Sequence, residues 1–455
     1  MKKRRFLSVF LLIVLVMSLW CAPTATALED PDILAKAALV VDADTGAVAY
    51  AKNEHQQLYP ASLTKIMTAL LVLEAVDDGK LTLDTEVMAQ PSAFEGLSAD
   101  GSSAGIKEGE VLTVRNLLYC MMVVSANEAC DILAEAVSGN VGSFVKLMNK
   151  RAAELGCKNT SFVNPNGLHD PQHYTSAWDM YLITREAMSH EMFMVIADTP
   201  DVIIPATNKS GERHLYTTNH LLSNWRVIGY RNKEAHGIKT GSTDDAGHCL
   251  VSSAIRGSYE YISVILGAER VEENGVGNIR SFSETTRMFN YAFDNFAYET
   301  IVKKTEVLEK EVPVTLSKVD HVTVHPAKDI EVLFPNDLTP KDLERKLTLQ
   351  ESVEAPVKEG QKLGTMELSY DGKIYATVDL LAMHSVEEDS NMIFWRDVKL
   401  FFEKTSVRIS IIAAVALIIL LIVWRLVASR RRYRYGRSSG RGGSNYRRNY
   451  RGRRR

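Results

Sequence analysis

Residues 409–428 form a run of 20 residues with a single charge, Arg425. A helix of that length crosses the ~30 Å hydrocarbon core of a bilayer at about 1.5 Å per residue. Twelve more arginines and no acid follow it. Basic residues beside a span stay on the cytoplasmic side, and Arg425 can reach the inner headgroups. The run is therefore expected to be a single transmembrane helix. Residues 429–455 are then an Arg-rich cytoplasmic tail. Just before the run, Ile393, Phe394, Trp395, Val398, Leu400, Phe401 and Phe402 form a short amphipathic stretch. Aromatic residues of this kind settle at headgroup depth, so residues 384–408 are expected to be a polar stalk and a collar on membrane lipid. The tail mixes Arg, Gly and Tyr as some nucleic-acid-binding tails do. It is read instead as a topology determinant, and no nucleic-acid partner is expected.

The other end of the chain fits this topology. Lys2, Lys3, Arg4 and Arg5 precede an apolar run from Phe6 to Trp20, and Ala25-Thr26-Ala27 follows. That is the layout of a secretory signal peptide, residues 1–27, cleaved after Ala27. The net charge of −3 over 455 residues hides a strong split. Residues 28–408 carry 36 basic and 56 acidic residues, a net of −20. The expected location is a single-pass membrane protein with an acidic domain outside the cell membrane. Four cysteines remain after cleavage (Cys120, Cys130, Cys157 and Cys249). For an exported domain of this size they are too few to hold the fold, so they are expected to be buried thiols.

Within residues 28–296, Leu39-Val40-Val41 and Ala47-Val48-Ala49-Tyr50 flank Asp44-Thr45-Gly46, a hairpin pattern. Helical periodicity follows over Ser62–Val76, Thr113–Val137 and Phe144–Leu155, and Ser176 with Asp179 reads as a capping box. Strand patterns return at Cys249–Ile255 and Tyr261–Leu266, before a helix over Arg280–Phe296. Strands from both ends of the segment bracket a helical block, which predicts one sheet with helices packed on it, an α/β (α+β) domain. Residues 300–383 change to short strands, with Asp371-Gly372 as a hairpin turn, and predict a small β-rich domain.

Three short patterns carry chemistry. In Ser62-Leu63-Thr64-Lys65, residues three apart share a helix face, so Lys65 Nζ can meet Ser62 Oγ. A serine needs a base to become a nucleophile, and a lysine whose pKa is lowered can be that base. Ser125-Ala126-Asn127 interrupts an apolar run, so its polar side chains need partners. Ser125 is placed to relay a proton near Lys65, and Asn127 to hold a substrate amide. Lys239-Thr240-Gly241 follows an extended stretch and is assigned to an edge strand facing the cleft. Lys239 and Thr240 suit a substrate carboxylate, and Gly241 lets an extended substrate lie close. Ser143-x-x-Lys146 and Ser138-Gly139-Asn140 repeat two of the patterns and are read as structural. His236 and His248, which flank Lys239, are read as structural too. No metal-binding spacing occurs, and neither a metal nor a cofactor is expected.

In this order and placement the three patterns closely resemble those of the D-alanyl-D-alanine carboxypeptidases, the low-molecular-mass penicillin-binding proteins. Tyr59-Pro60-Ala61-Ser62-Leu63-Thr64-Lys65, Gly101-Ser102-Ser103, Gly167-Leu168, Lys239-Thr240-Gly241-Ser242-Thr243 and Ile265-Leu266-Gly267-Ala268 are similar to that family's segments, and the likeness runs from about 35 to 383. The resemblance implies a β-lactamase/transpeptidase-like fold. It implies that Ser62 attacks the D-Ala-D-Ala carbonyl of peptidoglycan stem peptides, with Lys65 as base and Ser125 and Asn127 assisting. It implies that Lys239 and Thr240 bind the terminal carboxylate, with Arg280 adding to that site. The amides of Ser62 and Ser242 would form the oxyanion hole, and β-lactam antibiotics would acylate Ser62. The full span and the Arg-rich tail depart from the family pattern.

Two rival functions fit parts of the sequence. A serine β-lactamase shares the three patterns, but class A enzymes use a Glu to activate the deacylating water. No Glu occurs between Gly156 and Arg185, and a second β-rich domain is superfluous for such an enzyme. An inactive cell-wall receptor would have no need of the complete set of three patterns.

Overall fold

The computed structural model describes residues 28–98, 101–273 and 276–434. The signal-peptide segment 1–27 and the tail from 435 onward lie outside the described residues. The chain divides into two units, residues up to 301 with 330–343, and residues 302–329 with 344 onward.

The first unit is built on a five-stranded antiparallel sheet. Strands β1 (Ala37–Asp42) and β2 (Val48–Lys52) form the expected hairpin. After it come helices α1 (Lys65–Asp77), α2 (Val114–Val123), α3 (Asn127–Ser138), α4 (Val141–Glu154), α5 (Ala177–Met188) and α6 (Glu191–Ala197). Strands β3 (Ala235–Thr243), β4 (Gly247–Arg256) and β5 (Tyr259–Ala268) close the sheet in the order β2-β1-β5-β4-β3, and α7 (Arg280–Asn295) follows. Strand β3 is therefore an edge, with one side open.

Alternation along the strands builds two cores. Leu39, Val41, Val251, Ile262, Val264 and Leu266 face the helical block. Ala38, Val40, Ala254, Tyr261 and Ile265 face Met288, Phe289 and Ala292 of α7. A period of two residues on each strand sends neighbours to opposite faces, so one sheet carries both layers. Helix α1 is apolar nearly all round, and ten of its 13 residues are buried. Such a helix suits the centre of a domain rather than its surface.

The structure corrects four local expectations. The helix expected from Ser62 starts as a 3-10 turn, Ala61–Thr64, and becomes α-helical only at Lys65. The helix expected over 113–137 is broken between α2 and α3, where Ser125 adopts φ +64°. Ser176 caps α5 as expected, accepting from the Asp179 amide at 3.1 Å. Asp179 does not complete the box, because its carboxylate takes Asn159 N–H and Thr160 O–H instead. Strand Ile330–Pro335, expected in the β-rich domain, pairs with Phe296–Val302, so residues 330–343 group with the first unit.

The second unit holds a six-stranded sheet. Its longest hairpin joins Lys362–Tyr370 to Lys373–Ala382 through Asp371-Gly372, both at positive φ. That geometry is the type I′ turn which Asp-Gly favours. Beyond the sheet, Asp389 caps α8 (Ser390–Glu403) by accepting from the amides of Asn391 and Met392. Helix α9 (Thr405–Arg434) contains the apolar stretch Thr405–Ser429, none of it buried in the protein.

Candidate active site

The 3-10 turn brings Ser62 and Lys65 together. Lys65 is fully buried, and its Nζ donates to Ser62 Oγ at 2.9 Å. It also donates to Asn127 Oδ1 at 2.8 Å and to the carbonyl of Asn166 at 2.5 Å. Burial pushes the Lys65 pKa below the ordinary lysine range, while the charges of nearby Asp131 and Glu128 oppose that shift. Removing an ammonium from water disfavours its charged form, so Lys65 is drawn toward the neutral amine that a base requires.

The turn that carries Ser62 rests on a backbone conformation that side chains disfavour. Ala61, just before Ser62, has φ +48°. Its carbonyl accepts from Thr64 Oγ1 at 2.8 Å, and Thr64 Oγ1 lies 2.8 Å from His173 Nε2. His173 Nδ1 accepts from the Val163 amide at 3.2 Å, which assigns the ring proton to Nε2. The bonds thus run from His173 through Thr64 to the Ala61 peptide. Burial depresses the His173 pKa to about 4. The folded protein therefore keeps His173 neutral between about pH 4 and 6.5, where the unfolded chain binds a proton. Stability is expected to rise with pH across that window and to be lost toward pH 4, by roughly 3 kcal/mol from this group. Urea unfolding of the protein and of His173→Gln at a series of pH values checks this. The stability advantage over the variant should shrink by roughly that amount as the pH falls through the window, and parallel curves would refute it.

The loop 164–168 packs against the same turn. Gly167 has φ +86°, and a Cβ there would lie 1.9 Å from the Ala61 carbonyl oxygen. Thr68 Oγ1 donates to the Pro165 carbonyl at 2.6 Å, and Asn164 Oδ1 accepts from Gly167 N at 2.7 Å. On the other side, a Cβ at Gly241 would lie 2.8 Å from the Pro60 carbonyl oxygen and 3.1 Å from Ser62 N. Gly241 thus lets strand β3 lie against the turn that carries Ser62, and it also lines the cavity at that turn. The Ser62 amide is thereby brought next to Gly241, one residue before Ser242.

A cavity of about 220 Å³ is lined by Ser62, Ser125, Thr240, Gly241 and Ser242, so five of the expected residues converge on it. Ser102, Thr218 and His220 line it as well. Ser125 Oγ is buried and has no hydrogen-bond partner among the described residues. Its hydroxyl is thus free to bond a group that enters the cavity. Asn127 Oδ1 accepts from Lys65. Lys239 is 1% exposed, and its Nζ donates to the Thr240 carbonyl at 3.0 Å. Burial and the charge of Lys65 push its pKa well below the ordinary range. Lys239 thus lies beneath the cavity surface that Thr240 and Ser242 present. Arg280 opens α7 between Ile279 and Ser281, which both line the cavity, but it is not itself part of the lining.

Several contributors were not legible as motifs. Thr218 Oγ1 lies 2.6 Å from Thr240 Oγ1, and Asn219 Nδ2 donates to the Gly237 carbonyl at 2.5 Å. The polar run Thr217–His220 was their only signal in the sequence. Glu128 accepts from Ser103 Oγ and the Ala104 amide at 2.7 and 2.8 Å, which fixes the loop bearing Ser102. His248, read as structural, lines the cavity, whereas His236 pairs with Asp198 at 2.9 Å. The decoy patterns are helix punctuation: Gly139 ends α3 at φ +78°, and Asn140 Oδ1 accepts from Ser143 N. Among the described residues no group of three His, Cys, Asp or Glu is placed to hold a metal.

Comparison with known proteins gives consistent matches. Residues 24–270 match the family model described as D-alanyl-D-alanine carboxypeptidase. Residues 296–388 match the penicillin-binding protein 5, C-terminal domain model. The chain is 33% identical over 384 residues to D-alanyl-D-alanine carboxypeptidase DacF of Bacillus subtilis, covering 83% of this chain and 94% of that one. It is 32% identical to DacC of Escherichia coli, covering 81% and 89%. Among solved structures, penicillin binding protein 5 from Haemophilus influenzae aligns with a TM-score of 0.60 at 30% identity, over 80% of this chain and all of that one. DacD from Francisella tularensis aligns with a TM-score of 0.65 at 26% identity, over 80% and 97%.

Proposed function

Since this chain belongs to the D-alanyl-D-alanine carboxypeptidase family, we propose that it removes the terminal D-alanine from peptidoglycan stem peptides through an acyl-enzyme on Ser62. The observation that carries this reading is the 2.9 Å contact between Ser62 Oγ and a fully buried Lys65 whose pKa is lowered. Neutral Lys65 takes the Ser62 proton as Oγ attacks the carbonyl carbon of the D-Ala-D-Ala bond. The oxyanion then forms beside the amides of Ser62 and Ser242, where aligned donors stabilise it without reorganising. Lys65 returns the proton to the leaving amine, D-alanine departs, and water cleaves the ester. Thr240, with Thr218 beside it, and Lys239, whose ammonium form a bound carboxylate would favour, serve the substrate carboxylate.

The test is mass spectrometry of the intact protein with penicillin, followed by peptide mapping. A long-lived adduct on the Ser62 peptide, together with D-alanine release from a peptide ending in D-Ala-D-Ala, is the expected result. Turnover of the adduct within seconds would favour the β-lactamase reading. A protein inert toward both compounds would favour a receptor.

The apolar stretch Thr405–Ser429 supports a single-span anchor, with α8 as a collar on lipid. On this reading the catalytic unit lies outside the membrane, and the Arg-rich tail sits in the cytoplasm by the positive-inside rule.

A further inference from the structure

Helix α3 begins at Asn127 and presents Asp131 one turn later on the same face. Both point at the Lys65 environment. Asn127 receives Lys65 directly, and Asp131 reaches it through one intermediate. The Asp131 side chain is 5% exposed. Its Oδ2 accepts from Asn166 Nδ2 at 3.1 Å, and its Oδ1 lies 3.5 Å from the same nitrogen. The backbone carbonyl of Asn166 in turn receives Lys65 Nζ at 2.5 Å. A buried carboxyl thus stands behind the base, with one residue between them, and the mechanism above gives it no role.

We propose that Asp131 is a positioning residue that sets the pH range over which Lys65 serves as base, acting through Asn166 and through its own charge. This rests on the reading of Lys65 as the base of Ser62. The groups facing this pair are few. Lys65 comes from α1, with Lys239 of β3 beyond it; Glu128, Cys130 and Glu135 come from α3 itself. The loop between α4 and α5 contributes the uncharged Asn166 and His173, which the charge of Lys65 helps to keep neutral.

Burial raises the Asp131 pKa to about 7, against the hydrogen bond from Asn166 and the charge of Lys65, which both lower it. Asp131 therefore changes charge near neutral pH. Its ionised form favours the Lys65 ammonium, and its neutral form favours the free amine. Desolvation and this carboxylate pull Lys65 in opposite directions, and their balance fixes where the base becomes available. A purely structural role would need only the hydrogen bond to Asn166, which an amide at position 131 can also accept.

The experiment uses the full chain in detergent micelles and the second-order rate of penicillin acylation across about pH 5 to 10. Asp131→Asn keeps an acceptor for Asn166 and removes the charge. Asp131→Val removes both and fits an apolar site. In each variant the acid limb of the profile should move to lower pH by about one unit, roughly tenfold faster acylation at a fixed pH on that limb. The valine variant should also lose plateau rate, because Asn166 loses its anchor. Limbs that coincide with the unsubstituted protein in both variants would overturn the proposal, as would failure of both variants to fold. Lys65→Met is the control. Acylation undiminished in that variant would remove the base reading itself, whereas coincident limbs with Lys65→Met inert remove only the role of Asp131.

Discussion

Ser62→Ala and Lys65→Met are each expected to lower penicillin acylation and D-alanine release by on the order of 10⁴- to 10⁶-fold, and the double substitution to cost little more than either alone. The two side chains form one device. Ser62 Oγ is a weak nucleophile until Lys65 removes its proton, and in the acylation step a neutral Lys65 has no other proton to take. Methionine fills the buried volume of the lysine stem without the amine, so the packing around α1 is retained. Single-turnover acylation by a chromogenic penicillin, measured for the two single variants and the double, tests this. Effects that multiply would mean that the residues act separately. A Ser62→Ala protein that still carries the adduct would place the nucleophile elsewhere.

Gly167→Ala is expected to lower acylation by about 100-fold or more, although Gly167 has no reactive group. The added methyl would lie 1.9 Å from the Ala61 carbonyl oxygen and 3.0 Å from Ser62 N. Neither contact is tolerable, so the loop or the nucleophile turn must move. The turn is already poised on Ala61 at φ +48°. Stability should fall by roughly 2–4 kcal/mol from the positive φ and the overpacking together. Gly156→Ala separates the two causes. Gly156 has nearly the same φ, +84°, yet a Cβ there meets nothing within 4 Å. It should lose about 1 kcal/mol and keep its acylation rate. Comparing urea midpoints and acylation rates of the two variants settles the matter; equal rates would mean that the approach of Gly167 to Ser62 does not position the nucleophile.

The reach of the sequence differed from residue to residue. Ser62, Lys65 and the Lys239–Gly241 stretch were legible because reactive residues at helical or strand spacing carry a local geometry of their own. The break at Ser125 was not legible, because an apolar run through 113–137 looks the same whether it is one helix or two. Only packing shows that the chain must leave the helix there for Asn127 to meet Lys65. Gly241 had a second neighbour that the sequence did not reveal: besides lining the cavity, it lies against the turn that carries Ser62. His173, Asn166 and Asp131 had no motif at all. Each acts through a partner some 35 to 110 positions away in the chain, and no local pattern encodes such a pairing.

What the sequence alone determined is what depends on short-range pattern and on composition. It set a serine three residues from a lysine, an edge strand opposite, an apolar stretch of spanning length, and an acidic central part between basic ends. What tertiary structure decided is the state of those groups. Whether Lys65 is a base depends on how completely water is excluded from it and on which carboxylates share its enclosure. Exclusion of water is a property of the assembled core, since desolvation arises only when distant segments close over the same atom.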